Sequence, residues 1–336
     1  MRALVLETFG QPMVMRDLPV PSVPSGHVLV RVVASGVNPL DVKIHEGLAA
    51  HAKVQLPAIL GLDIAGTVES IAEDVAEFAI GDHVFGVTGG VGTLPGSLAE
   101  YAAVDSQLLA KKPASLSMRE AAALPLAFVT AWEGLVDRAR ITEGQRVLIH
   151  GGAGAVGNLC VQLATALGAR TFATVSPHQM DIVASSGATP IDRRVSVEDY
   201  VAAFTDNEGF DIVYDTVGGT VLDASFMAVR MYEGHVVSCL GWGTHNLAPL
   251  SFRAASYSGV FTLLPMLTGN GRAHHGDILR EAAALAGRGL LRPRVDSTQY
   301  SLETANTAHT LLTRGKSNGK LVVDVGAEPV TASSIP

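Results

Sequence analysis

Between Arg146 and Ala169 a strand-like run, RVLIHG, passes through a turn crowded with glycine and alanine into an apolar helical run, NLCVQLATALGA. Residues Gly152-Ala153-Gly154-Ala155-Val156-Gly157 spell G-x-G-x-x-G. That spelling is weak alone, but here it follows a predicted strand and opens a predicted helix. In that setting Gly152 suits a tight turn, Gly154 lets the backbone approach a pyrophosphate, and Gly157 permits close packing of helix on strand. The helix N-terminus then offers N–H groups and the positive end of a dipole to phosphate. A purely structural glycine turn is the competing reading. The context favours a dinucleotide cradle, and with it a parallel α/β domain.

The surrounding pattern agrees. RTFATVS, FDIVYDTVGG and GHVVSCLG read as strands, and PHQMDIVASSGA as a helix with Pro177 in its first turn. Such alternation implies a doubly wound parallel sheet. Ser117-Met-Arg-Glu120 is a capping box, opening an Ala-rich helix interrupted at Pro125. Before it, HVLVRVVASGV, GLDIAGTVESIA and GDHVFGV read as strands. After about residue 270 only one long helix, DILREAAALAGRGL, and a terminal strand, KLVVDV, stand out. We therefore expect a nucleotide-binding domain at 119–270 and a β-rich domain built from 1–118 and 271–336.

A dinucleotide without a 2′-phosphate calls for an acid about 20 residues after the glycines, on the ribose. Ser176 stands 24 positions after Gly152, and no acid follows until Asp181. A neutral hydroxyl does not repel a 2′-phosphate, so NADP(H) is the expected cofactor. His178, Arg193 and Arg194 are the candidate cations, arginine being suited to a forked phosphate contact.

Composition removes other classes. The 336 residues are 48% hydrophobic and 17% charged, with a net charge of −8. No basic stripe invites nucleic acid or an anionic membrane. Cys160 and Cys239 form no disulfide framework or zinc spacing. The apolar run Ala121–Trp132 is too short to cross a bilayer and contains Pro125. MRALVLETFG lacks the apolar core of a signal peptide, so a cytoplasmic location is expected.

The ordered segments GVNPLDVKIHEG, GLDIAGTV, GDHVFG, GSLAEYAAV, AAALPLAFVTAWEGL, VLIHGGAGAVG, DTVGG and GKSNGKLVV run nearly end to end. Together they resemble the medium-chain dehydrogenase/reductase superfamily, in its zinc-free quinone oxidoreductase and enone reductase branch. The resemblance implies an α/β protein with a GroES-like β-rich catalytic domain and a Rossmann domain. Zinc alcohol dehydrogenases of that superfamily need Cys where this chain has Asn38 and His where it has Leu62. No metal is therefore expected. The adjacent His274 and His275 read as a solvated pair.

Without a Lewis acid for an alkoxide, the easier chemistry is hydride addition to an acceptor already activated, a quinone or an α,β-unsaturated carbonyl. The resemblance places Asn38, Asp41 and Lys43 in the catalytic turn. There Asn38 contacts nicotinamide, ribose or substrate oxygen, and Lys43 is a candidate proton donor. A tyrosine occupies the Lys43 position in other members, which leaves solvent water as the alternative donor. The resemblance also places Thr130, Val217, Leu240, Gly241, Phe261, Lys316 and Asn318 on the cofactor. Where the family has a lysine shortly after the Ser176 position, this chain has Met180. Phe128, Trp132, Trp242 and Tyr257 serve either an acceptor pocket or the core. The branch commonly forms homodimers through edge strands, here SGVFTLL. It also includes lens crystallins, so a non-catalytic NADPH-binding sensor or structural protein is the alternative function.

Overall fold

The computed structural model describes residues 1–326; the last ten residues of the expected second domain, 327–336, lie outside the described residues. Two compact units emerge, Met1–Leu126 with the chain from Leu263 onward, and Ala127–Thr262. The division falls eight residues away from the expected one at each crossing.

The central unit is a six-stranded parallel sheet. Its strands are β1 (Arg146–His150), β2 (Arg170–Val175), β3 (Thr189–Asp192), β4 (Ile212–Asp215), β5 (His235–Ser238) and β6 (Ser256–Gly259). Their order is β3-β2-β1-β4-β5-β6. The order reverses at β1, the topological switch point beside which doubly wound sheets bind ligands. Leu148, Phe172, Phe210, Val213, Phe226 and Val236 pack in its core. Strand β6 forms one sheet edge, but it stops at Gly259 and Leu263–Thr268 is helical. The expected edge segment SGVFTLL is therefore a strand only in its first part.

The other unit is built on an antiparallel sheet whose longest strands, His27–Gly36 and Asp63–Ile71, pair along their length. The late strand Val322–Asp324 adds antiparallel to His27–Gly36, so residues from both ends of the sequence share one sheet. The strand His27–Gly36 runs into helix α1 (Pro39–His45), with Asn38 as N-cap and Pro39 in the first turn, where a missing N–H is harmless. A short helix, Met118–Ala122, packs over the end of that strand. A Cβ on Gly36 would lie 2.2 Å from the Ala122 carbonyl and 2.9 Å from Asp63 Oδ2, so only glycine fits there. After Pro125 interrupts the Ala-rich run, α2 spans Pro125–Trp132 and passes into a π-helical turn, Glu133–Arg138.

Two sequence expectations need correction. His274 and His275 do not form a solvated pair: both lie in the helix Arg272–Gly287, where His274 is exposed and His275 is 1% exposed on the packed face. The tight turn of the glycine segment belongs to Gly151, at φ +76°, and not to Gly152. Gly152 is needed for closeness instead: a Cβ there would lie 2.5 Å from the Ala173 side chain.

Candidate active site

In the central unit every candidate cofactor group lies on the carboxyl-end loops of the sheet or on α2. From β1, Gly151 turns the chain and α3 (Ala155–Ala166) begins. A Cβ on Gly157 would lie 2.2 Å from the Gly151 carbonyl, so glycine lets the first turn of α3 seat on the loop. The first helical bond runs from Asn158 N–H to the Gly154 carbonyl (2.9 Å), so Ala155, Val156 and Gly157 hold N–H groups with no place in the helical ladder. Gly154 caps the helix without a side-chain hydrogen bond and, with Ala155, is exposed; Ala153 and Val156 are half-buried. A 12-residue helix opening on bare backbone fits a pyrophosphate.

At the next loops, Val175 of β2 is in register with Asp192 of β3. The residues just beyond, Ser176 and Arg193, therefore stand side by side, and Arg193 N–H donates to the Val175 carbonyl (2.9 Å). Ser176 is half-buried, while His178 and Arg193 are exposed. Arg194 is otherwise engaged: its guanidinium forks onto Asp192 (Nε–Oδ1 3.0 Å, Nη2–Oδ2 2.6 Å). That pairing holds the Asp192 carboxyl below its usual range.

The loop after β4 is shaped by a residue the sequence reading passed over. The Asp215 carboxylate is fully buried and accepts from Val217 N–H (3.0 Å), Gly218 N–H (2.9 Å) and Ser238 Oγ (2.8 Å). It fixes the turn that presents Val217, which is 48% exposed. Leu240 and Gly241 follow β5, and Phe261 follows β6, where the exposed Trp242 meets it edge-on with ring centroids 6.0 Å apart. Phe128 is wholly buried and belongs to the core. Thr130 on α2 is buried, and its carbonyl accepts from Tyr214 Oη (2.6 Å) just before the helix widens. His150, closing β1, is buried with its pKa lowered to about 4 by desolvation, so the ring is neutral at pH 7.

The antiparallel unit holds a second cluster. Asn38, Asp41, Asp63 and Lys320 are buried together. Asn38 Nδ2 donates to Asp63 Oδ2 (2.9 Å), and Lys320 Nζ donates to the same oxygen (2.9 Å) and to Asn38 Oδ1. The other Asp63 oxygen accepts from Leu126 N–H (2.7 Å). Asp41 Oδ2 accepts from Asn38 N–H (2.7 Å), while its Oδ1 is buried without a hydrogen-bond partner. Burial, with Asp63 adding repulsion, raises the Asp41 pKa to about 7.

Lys43 is exposed on α1. Lys316 and Asn318 are also exposed; Asn318 donates its N–H to Asp296 Oδ2 (2.7 Å) and accepts from Arg294 (2.9 Å). Within GKSNGK it is thus the second lysine, Lys320, that turns inward. Asp63 and Lys320 had a sequence signal: each is a charge abutting an apolar strand, in GLDIAG and GKLVV. A charge buried there needs a partner.

Among the described residues no group of three or more His, Cys, Asp or Glu side chains is arranged to hold a metal ion. No described helix is long and apolar enough to cross a membrane.

Comparison with known proteins meets this geometry. Residues 24–114 match the alcohol dehydrogenase GroES-like domain, and residues 187–323 match a family described as zinc-binding dehydrogenase. The NADPH-dependent alkenal/one oxidoreductase of Arabidopsis thaliana chloroplasts is 32% identical over 96% of this chain and 79% of its own length. The chain belongs to the medium-chain dehydrogenase/reductase superfamily, in its quinone and enone oxidoreductase branch. Other members support that place. Human quinone oxidoreductase is 29% identical over 96% of this chain and 97% of its own. The crystal structure of an alcohol dehydrogenase superfamily protein from Novosphingobium aromaticivorans superposes with a TM-score of 0.95 at 54% identity, covering 97% of this chain and 100% of that one. Two further relatives, a spectinabilin polyketide synthase system protein from Streptomyces orinoci and the mycoketide-CoA synthase of Mycobacterium tuberculosis, are far larger, and the chain spans 13% and 7% of their lengths. Medium-chain dehydrogenase/reductases are oxidoreductases that use a nicotinamide cofactor.

Proposed function

We propose that this chain is an NADPH-dependent, zinc-independent reductase of quinones or α,β-unsaturated carbonyls. The observation that carries the reading is the occupant of the catalytic turn. Where zinc-dependent members place a metal-binding cysteine, the buried amide of Asn38 is tied to Asp63 and Lys320, and Leu62 beside Asp63 is fully buried. An amide is no Lewis acid, but its N–H can stabilise negative charge that develops on a carbonyl oxygen. The acceptor must then be one in which hydride addition is already easy.

When bound, NADPH supplies the hydride. The N–H groups of Ala155, Val156 and Gly157, which have no place in the helical ladder, would hold its pyrophosphate. Ser176, His178 and Arg193 would receive the 2′-phosphate. Thr130, Val217, Leu240, Gly241 and Phe261 would position the nicotinamide end; Lys316 and Asn318 are assigned to the cofactor by the family resemblance alone. Addition at the acceptor's β-carbon would move an electron pair onto its oxygen, which an Asn38 Nδ2–H would stabilise. The enolate then takes a proton from Lys43 or from water.

The test is nicotinamide absorbance with purified protein, NADPH or NADH, and a panel of enones, quinones and saturated ketones, with and without a chelator. We expect NADPH oxidation by enones or quinones, slower with NADH and indifferent to chelation. Tight NADPH binding with no turnover across the panel would instead favour a non-catalytic binding protein.

A further inference from the structure

We propose that Lys320 and Asp63 are positioning residues that set the orientation of the Asn38 amide. The inference rests on the catalytic reading of Asn38 given above.

An asparagine amide has a donor end and an acceptor end, and turning it over exchanges them. Here the choice is forced. Lys320 Nζ is purely a donor and can face only Oδ1. The Asp63 carboxylate is purely an acceptor and can face only Nδ2. The ammonium also bonds Asp63 Oδ2 (2.9 Å), so all three groups lock one another. Asp63 is held from behind as well: Oδ1 accepts from Leu126 N–H (2.7 Å), and its backbone carbonyl accepts from Ser97 Oγ (2.7 Å), which also bonds Ser35 Oγ (2.7 Å). Asn38 Nδ2 carries a second hydrogen besides the one given to Asp63, a donor of the kind an enolate oxygen needs. The ammonium on Oδ1 draws electron density from the amide and strengthens that donor. A buried ion pair gains little stability over apolar residues of similar size, so orientation is the more telling consequence of placing one here.

The experiment separates positioning from scaffolding by comparing Lys320→Met, the double variant Lys320→Met/Asp63→Asn, and Asn38→Ala. The single Lys320→Met leaves a buried carboxylate without its cation and should lower both thermal midpoint and turnover. The double variant removes both charges and keeps an acceptor for Leu126 N–H. Its new amide gives Asn38 Oδ1 a neutral donor, allowing the Asn38 amide to turn over. We expect its thermal midpoint to recover toward the parent, and its kcat to stay about 10²-fold down with KM for NADPH unchanged, the scale of a misplaced catalytic group. Asn38→Ala should match that loss, and adding the double variant to it should lose nothing more. Recovery of both stability and kcat in the double variant, with Asn38→Ala impaired, overturns the positioning role and spares Asn38. Full activity of Asn38→Ala overturns the catalytic reading of Asn38 and the positioning role with it.

Discussion

Arg193 donates its backbone N–H to the carbonyl of Val175, 2.9 Å away, and so stands next to Ser176 at the carboxyl ends of two neighbouring parallel strands. Its neighbour Arg194 is forked onto Asp192. Of the two arginines, the geometry thus favours Arg193 for an incoming 2′-phosphate. Arg193→Ala should raise KM for NADPH about 10- to 100-fold, the scale of a lost charged hydrogen bond, and leave KM for NADH nearly unchanged. Arg194→Ala should have a much smaller effect. Ser176→Asp should invert the preference toward NADH by supplying an acid for the ribose. Steady-state kinetics with both cofactors decides, and an unaltered preference in Arg193→Ala would remove that residue from the cofactor site.

Two glycines of the same turn should respond differently to one methyl group. A Cβ on Gly157 would lie 2.2 Å from the Gly151 carbonyl, and one on Gly154 would find its nearest neighbour at 3.2 Å. Gly157→Ala should destabilise by about 1–3 kcal/mol, as overpacking does. Gly154→Ala should fold nearly as well as the parent but bind NADPH more weakly, because its methyl occupies the approach to the backbone. Thermal unfolding and a fluorescence titration of NADPH separate the two effects.

Asp41 makes stability depend on pH in an unusual direction. Its folded pKa, about 7, lies above its ordinary value of 3.8 because burial disfavours the charged form. Between these values the unfolded chain has lost a proton that the folded chain keeps, so this group's contribution falls as pH rises from about 4 to 7. Asp41→Asn retains an acceptor for Asn38 N–H and removes the titration. Its stability advantage over the parent should grow across that window to on the order of 4 kcal/mol and level off above it. An advantage independent of pH would show that Asp41 does not titrate there.

His309 acts in the opposite sense. It is buried beside His45, and desolvation lowers its pKa to about 3. Here the unfolded chain binds the extra proton, so stability is lost as pH falls below about 6.5 toward 3. His309→Gln should reduce acid sensitivity over that range, as followed by denaturant midpoints at several pH values.

Metal removal gives a further check. With Asn38 and Leu62 standing where zinc-dependent members carry metal ligands, exhaustive dialysis against a chelator should leave turnover intact, and elemental analysis should find zinc well below one equivalent. Activity lost on chelation and restored by zinc would overturn the zinc-independent reading.

Patterns that repeat along the chain were legible without coordinates. Strand-helix alternation foretold the parallel sheet, and the Ser117 capping box and Pro125 break fall where expected. What escaped depends on encounters between distant residues. Gly151 and Gly152 differ only in which one bends and which one clears Ala173. Arg193 and Arg194 are indistinguishable until one of them finds Asp192. Lys320 looks like one more lysine in a polar turn until its strand joins the sheet beside Gly36 and brings the ammonium to Asp63. His275 is buried because the helix it opens turns that face inward.

The 257 residues that separate Asp63 from Lys320 impose an order on the making of this protein. Asn38 and Asp63 are synthesised long before Lys320, so a carboxylate destined for the interior waits for its counter-charge while the intervening chain is made. The central sheet can mature in the meantime, since domains tend to fold as units while synthesis proceeds. A nascent chain stalled before Lys320 would carry a finished glycine turn alongside an Asp63 still missing its counter-charge, and proteases would find the unfinished sheet open.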